Sequence, residues 1–453
     1  MLVRHHRRPL LIVPVACAAL LCFAATGAAT ALAVPGDVLN IVTGHYGSHV
    51  APDDGIACAV ATGGDIVTAN EVGTGSGVYF PYVECWSPPV FYKWSAIEST
   101  DGRLEALAVG PSGSGFAVGR VDAGVNGTDY LVLQAGSGGS STKTYDGPAH
   151  LEDMARAVAV ASDGSVYVTG SSTAADGDRD IVTIKYGPVG DQQWVKRFNS
   201  PSNKDDVGNA VAVRGTALYV AGHAVRTKHG DDVVLIKYDR ISGKRLWTRY
   251  YDDALHRDDS VSAMVVTRAG VFLAGSGKAR IVAGGDALLL RFASTGALRW
   301  AKYSAGAKGG FDGWQDVAVQ PGGHVAVTGR LYRSATGRDI ATASFSTAGT
   351  LRWLRTMSTA GKRFDVGVAV GVDKATGRVY VGGVVSRSAT GQDMAMIAYS
   401  SSGSTRWFTF TDGGAAGNDW INDCCVSAAG VYAVGAVADT TWDDEHALVK
   451  YEK

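Results

Sequence analysis

The chain has 453 residues, with 42 Lys and Arg against 43 Asp and Glu, for a formal net charge of −1. That balance excludes the polybasic surface that nucleic acid or anionic lipid demands. A chain this long usually divides into several domains, unless it is a closed repeat array.

The N-terminus reads as a targeting segment. Arg4, Arg7 and Arg8 precede an apolar run from Leu10 to Phe23 broken only by Pro14, and Ala31-Leu32-Ala33 supplies the small residues of a signal-peptidase site. Residues 1–33 are therefore predicted to be a secretory signal peptide, too short and wrongly flanked for a membrane anchor. Arg7-Arg8 fits an ordinary basic n-region better than twin-arginine export. Neither Cys17 nor Cys22 has the small-residue context of lipid attachment, and no later stretch would span a bilayer. The expected product is a secreted, extracytoplasmic monomer of residues 34–453. Loss of the three arginines lowers its formal charge to −4.

The rest of the chain repeats itself. Trp194, Trp247, Trp300, Trp353 and Trp407 are spaced by 53, 53, 53 and 54 residues, and each follows a glycine four positions earlier: Gly190, Gly243, Gly296, Gly349 and Gly403. Upstream of each lies an apolar run opened by an acid (Asp180, Asp232, Asp286, Asp339, Asp393) and closed by an aromatic (Tyr186, Tyr238, Phe292, Phe345, Tyr399). Farther upstream, Val166-Tyr167-Val168-Thr169-Gly170 recurs as Leu218-Tyr219-Val220-Ala221-Gly222 and in later copies. Such a period marks stacked supersecondary units. Each copy reads as four short strands, a to d, divided by Gly/Asp/Ser turns. One small sheet cannot bury both faces, so the repeats are expected to shield one another around an axis.

Strand a begins near Ala57, Leu104, Ala157, Ala210, Ser262, Asp316, Gly367 and Asn422. The prediction is an all-β, eight-bladed propeller of four-stranded antiparallel blades, or seven blades if the proline-rich first copy is a decorated loop. The last copy ends without its strand d. Val38–Tyr46 has the pattern of that strand, so the N-terminus is expected to complete the last blade and close the ring.

The recurring Trp and strand-c aromatics are expected to fill the space between blades, and the glycine before each Trp to form the c–d turn. Successive hairpins alternate between the two faces of the disc. The a–b and c–d turns are tight and share one face, while the b–c and d–a loops are longer and polar and share the other. The long-loop face carries the acids opening strand c, with Asp53-Asp54, Asp205-Asp206, Asp258-Asp259, Asp312, Asp365 and Asp419. Loops of this kind are where function normally sits, so an unknown protein or carbohydrate ligand is expected there. A lone Asp at a strand start usually caps backbone N–H groups. Capping is therefore the first expectation, with Ca²⁺ as the alternative use of the acids. Arg179, Lys204, Lys228, Arg257, Arg338 and Lys362 stand nearby to neutralise them.

Four cysteines follow the signal: Cys58, Cys85, Cys424 and Cys425. Cys58 and Cys85 fall two strand spacings apart, beyond the reach of a bridge. Cys58 matches Cys424 on the innermost strands of the first and last blades. Either Cys58–Cys425 or Cys58–Cys424 is expected to staple the ring shut. No nucleophile motif, zinc signature, P-loop or dinucleotide fingerprint is present. His229, His256 and His324 read as isolated loop residues.

The pattern Gly-x-Val-Tyr-Val-Thr-Gly, then Asp180-Ile181-Val182-Thr183-Ile184-Lys185-Tyr186, then Gly-x-x-x-Trp resembles the SBBP-type bacterial β-propeller repeat, well over 155–453 and loosely over 34–154. The resemblance implies an extracytoplasmic propeller and says little of its role. Asp239-Arg240-Ile241-Ser242-Gly243-Lys244-Arg245-Leu246-Trp247 is similar to the tryptophan-docking repeat of quinoprotein dehydrogenases. Only one copy carries that full pattern, and no residues can be assigned to a quinone cofactor. The expected function is a non-catalytic binding or scaffold module without a cofactor. The alternative is a secreted propeller enzyme: a lyase, a hydrolase or a quinoprotein dehydrogenase.

Overall fold

The computed structural model describes residues 38–44 and 54–453, apart from 74–77, 88–90, 99, 227–229, 254, 279–283, 308–309, 360–362, 388–390, 414–416 and 439–443. The predicted signal peptide, Asp53, Lys228, His229 and Lys362 lie outside the described residues.

Alternating side chains and tight turns give eight sheets, each with four antiparallel strands, a to d, which follow one another in sequence order in every blade but the last. Blade 3 is representative, with Asp153–Val160, Val166–Thr173, Arg179–Tyr186 and Gln192–Phe198. The eight a strands are Asp54–Val60, Gly102–Val109, Asp153–Val160, Asp206–Arg214, Ser260–Thr267, Gly313–Val319, Val366–Val372 and Trp420–Ser427. Each adjoins the next, and the last adjoins the first, so they form the inner ring. The proline-rich first copy is a blade: Cys85 pairs with Trp94 in the register that Lys185 and Trp194 have in blade 3. Blade 6 alone carries an added two-residue strand, Arg363–Phe364, parallel to Gly337–Phe345, among the described residues.

The ring is closed by the N-terminus. Blade 8 takes Trp420–Ser427, Gly430–Ala438 and Asp444–Tyr451 from the end of the chain, and Val38–Gly44 pairs antiparallel with the last of these. The closing strand removes the open edge that would otherwise invite pairing with another chain. The seam between blades 8 and 1 is packed as a core. Cys58 and Ile66 share one buried cluster with Cys425, Tyr432, Val434 and Leu448. Polar bonds cross it too: Cys58 N–H donates to Asp423 Oδ2 at 3.0 Å, and Asn422 Nδ2 donates to Asp54 Oδ1 at 2.8 Å.

The recurring aromatics fill the other seams. Trp194 lies 6.0 Å from Tyr167 of its own blade and 6.5 Å from Tyr238 of the next. Trp407 stacks on Tyr451 across the seam of blades 7 and 8 at 6.4 Å. Trp300 and Trp353 also tether the following blade, their indole N–H groups donating to Thr347 O at 3.0 Å and Ser401 O at 3.1 Å. Burying one large aromatic contributes ~2–3 kcal/mol, and a pair repeated around the ring is what holds the blades in order.

Two sets of glycines acquire a reason that periodicity alone does not supply. Strand a bulges by one residue in every blade, as between Ala155 and Ala157. The bulge drives a carbonyl against strand b, so a Cβ at Gly170 would lie 1.9 Å from Met154 O. The same contact recurs at Gly222, Gly275, Gly329 and Gly435. The glycine before each Trp has positive φ, as expected, and Gly243, Gly296, Gly349 and Gly403 also press on the indole of the preceding blade.

Candidate functional site

The long-loop face is dominated by carboxylates, and the structure separates those that cap from those that converge. In six blades the acid at the start of strand a reaches back to the backbone N–H six residues earlier. Asp253 N–H donates to Asp259 Oδ2 at 2.9 Å, Thr359 N–H to Asp365 Oδ2 at 2.8 Å, and Gly413 N–H to Asp419 Oδ2 at 2.7 Å. Gly147 with Asp153, Ser200 with Asp206 and Gly306 with Asp312 repeat the bond. The expected capping role is thus met in six consecutive d–a loops.

The second oxygen divides the set. In Asp312, Asp365 and Asp419 it accepts an N–H from strand b of the same blade: Tyr332 at 2.6 Å, Ser386 at 2.8 Å and Ala438 at 2.7 Å. In Asp153, Asp206 and Asp259 the buried Oδ1 accepts no hydrogen bond among the described residues. Burial pushes Asp206 up to about 7 and Asp259 to about 8, the latter helped by repulsion from Asp253, Asp232 and Asp252.

Three seams bring three carboxylates together: Asp129, Asp146 and Asp153; Asp232, Asp252 and Asp259; Asp393, Asp412 and Asp419. In each group one ligand-capable oxygen per residue lies within 4.8 Å of the others. The members come from the start of strand c, the d–a loop and the start of the next strand a. The last two are always seven residues apart.

The neutralising cations are partly those expected. Arg179 pairs with Asp205 at 2.6 Å, whereas Arg338 stacks on the Phe364 ring at 4.8 Å. Sequence reading missed Arg197, Arg226 and Arg387, which pair with Asp180, Asp232 and Asp393 at 3.0, 3.0 and 3.1 Å. The signal was available: Arg226, Arg333 and Arg387 each end strand b six residues before the acid of strand c.

His256 is not isolated. It bonds Asp252 at 2.8 Å, and His150 bonds Asp146 at 2.5 Å from the equivalent place. Both adopt positive φ, as does Asn203 in the same loop of the intervening blade. The Asp-x-x-x-His-x-x-Asp spacing is therefore a feature of two d–a loops. His324 is half-buried on the opposite face, and burial pulls it down.

On the tight-turn face, a cleft of ≈ 590 Å³ opens between the a–b turns of blades 4 and 5. Arg214, Lys237 and Arg268 line it with Thr216, Thr267 and Ser294. Lys237 Nζ already donates to Ser294 O at 3.0 Å, while Arg214 and Arg268 are exposed.

The four cysteines among the described residues are buried free thiols. Cys58 and Cys425 share the closure-seam cluster, whereas Cys424 belongs to the core between blades 7 and 8 and Cys85 to that between blades 1 and 2. Burial and the adjoining Cys425 thiol push Cys58 far up.

No family model and no curated protein matches the chain, so the likeness to the SBBP-type repeat remains an expectation. Solved structures share the fold. The quinohemoprotein alcohol dehydrogenase of Comamonas testosteroni superposes with a TM-score of 0.53 at 11 % identity, covering 91 % of this chain and 76 % of that one. The quinohemoprotein alcohol dehydrogenase ADHIIG of Pseudomonas putida HK5 gives 0.52 at 11 % identity, over 92 % and 75 % of the two chains. Likeness at this identity shows a propeller and nothing about activity. Among the described residues no helix is long and apolar enough to cross a membrane.

Proposed function

We propose that the chain is a non-catalytic binding propeller that takes an acidic polysaccharide in the cleft between blades 4 and 5. One observation carries this reading: the cleft lining combines three cationic side chains with the hydroxyls of Thr216, Tyr219, Thr267 and Ser294, and among the described residues it contains no carboxylate, imidazole or thiol. Exposed guanidinium groups recognise carboxylate or sulfate through paired N–H donors. Hydroxyls and turn backbone serve the neutral oxygens of a sugar chain. General acid–base chemistry is most often carried by a histidine or a carboxylate at the ligand, and the described lining holds neither. The long-loop face, where loop length placed the ligand, has most of its acids committed to caps and ion pairs.

The test is a binding titration of the whole chain against polygalacturonate and against neutral dextran at fixed ionic strength. The reading predicts saturable, salt-sensitive binding of the acidic polymer only, with Arg214→Ser plus Arg268→Ser weakening it about tenfold or more. Equal affinity of the variant, or binding of both polymers alike, would overturn it. Release of shortened or unsaturated sugar would place the protein among the propeller enzymes instead.

A further inference from the structure

We propose that the triads Asp129–Asp146–Asp153 and Asp232–Asp252–Asp259 are two divalent-cation sites, selective for Ca²⁺, that bolt blade 2 to blade 3 and blade 4 to blade 5. The inference is independent of the polysaccharide reading, since the triads lie on the long-loop face and the cleft on the other.

Acid clusters alone are common on loops, and the argument rests on what the carboxylates lack. Asp153, Asp232 and Asp259 are 1 %, 0 % and 0 % exposed. Each has one oxygen engaged: Asp153 by Gly147 N–H, Asp232 by Arg226 at 3.0 Å, and Asp259 by Asp253 N–H at 2.9 Å. The other oxygen of each, with Asp129 Oδ1, is buried and accepts no hydrogen bond among the described residues. A buried carboxylate oxygen without a donor is costly. Each of these two triads contains at least two such atoms, from two different blades.

The ring supplies its own comparison. Between blades 5 and 6 and between blades 6 and 7, Ala305 and Ser358 replace the middle carboxylate. There the equivalent oxygens, Asp312 Oδ1 and Asp365 Oδ1, are satisfied by the N–H groups of Tyr332 and Ser386. Open oxygens and a third carboxylate coincide in the two proposed sites. Between blades 7 and 8, Asp419 has both oxygens bonded, so that triad is not included. Between blades 3 and 4 the third position is Asn199, and Arg197 already holds Asp180 at 3.0 Å.

The chemistry fits Ca²⁺. It gathers six to eight oxygens at about 2.3–2.6 Å in flexible geometry, so ligand oxygens around one ion stand no more than about 5 Å apart, whereas Mg²⁺ demands a near-ideal octahedron and keeps several waters. The triad oxygens lie within 4.8 Å of one another. In the blade 4–5 site, Arg226 offsets one of three negative charges, leaving two for the ion. His256 and His150 hold the middle carboxylates by 2.8 and 2.5 Å bonds.

The middle residues make the cleanest variants, because the caps to the N–H six residues earlier are made by Asp153 and Asp259. Metal-free whole chain is titrated with CaCl₂ by calorimetry, beside Asp146→Asn, Asp252→Asn, the double variant, and Asp412→Asn as control. Two Ca²⁺ per chain are expected, with dissociation constants of about 10⁻⁵–10⁻³ M. One site should be lost in each single variant, both in the double variant and none in the control, and Mg²⁺ should bind at least tenfold more weakly. Ca²⁺ should also raise the denaturation midpoint of the native chain and not of the double variant. No saturable binding to the native chain overturns the proposal, and so does binding that survives in the double variant. If a variant folds poorly by circular dichroism, the native stoichiometry and Ca²⁺ preference decide alone.

Discussion

Gly403→Ala tests whether the glycine and the tryptophan of the repeat are one device. Gly403 has φ of +85°, and a Cβ placed there lies 2.4 Å from Trp353 Cγ of the preceding blade. The left-handed backbone costs an alanine ~1 kcal/mol, and forcing an atom into a packed ring system adds ~1–3 kcal/mol. The sum is ~3 kcal/mol. Gly177 provides the reference, with φ of +91° and nothing within 4 Å of its added Cβ. Gly177→Ala should therefore cost only the backbone part, ~1 kcal/mol. Urea unfolding of both variants, followed by circular dichroism, measures the difference. Adding Trp353→Leu to Gly403→Ala should recover the contact part as a coupling energy of at least ~1 kcal/mol. Equal costs for the two glycines, or additivity with Trp353→Leu, would show that the indole does not govern the turn.

Asp423 predicts a pH dependence of the closure seam. It accepts the N–H groups of Cys58 at 3.0 Å and Cys424 at 2.7 Å, and burial pushes it up to about 7. The folded chain then holds a proton that the unfolded chain releases near pH 4, so stability falls as pH rises from 4 to 7 and levels off above that. Discounted for the solvent that reaches this half-buried group, the change is ~2 kcal/mol. Asp423→Asn should flatten that part of the slope, and an unchanged slope would contradict the assignment. Oxidised glutathione should couple Cys58 to Cys425, each disulfide formed releasing two reduced glutathiones. Peptide mapping without reductant reads the product, and finding Cys58 linked to Cys85 or Cys424 would refute the seam packing. Gly170→Ala should destabilise even though strand b needs no unusual φ there, because the added Cβ meets Met154 O at 1.9 Å. A neutral effect on the urea midpoint would remove the bulge from the account.

The ring was legible because its cause is periodic. Each blade must offer an aromatic to its neighbour, so Trp194, Trp247, Trp300, Trp353 and Trp407 keep their spacing, and the incomplete last copy points to the strand at 38–44. The bulge of strand a leaves no such mark, so the reason for Gly170 and its equivalents emerges only when Met154 O is placed against it. His150 stayed hidden because blade 2 lacks the landmark Trp that would set its d–a loop beside that of His256. The cleft was illegible for another reason. Arg214 and Arg268 stand 54 residues apart and meet only because blades 4 and 5 are packed side by side. The acids were visible at once, but their division into caps and open triads depends on which backbone N–H reaches each second oxygen.

Hydrogen exchange read by mass spectrometry tests ring closure most directly. Peptides covering Val38–Gly44 should exchange as slowly as those covering Asp444–Tyr451, since the two strands share one ladder and open together. Rapid exchange of 38–44 alongside a protected 444–451 would show that the N-terminal strand is not part of the last blade.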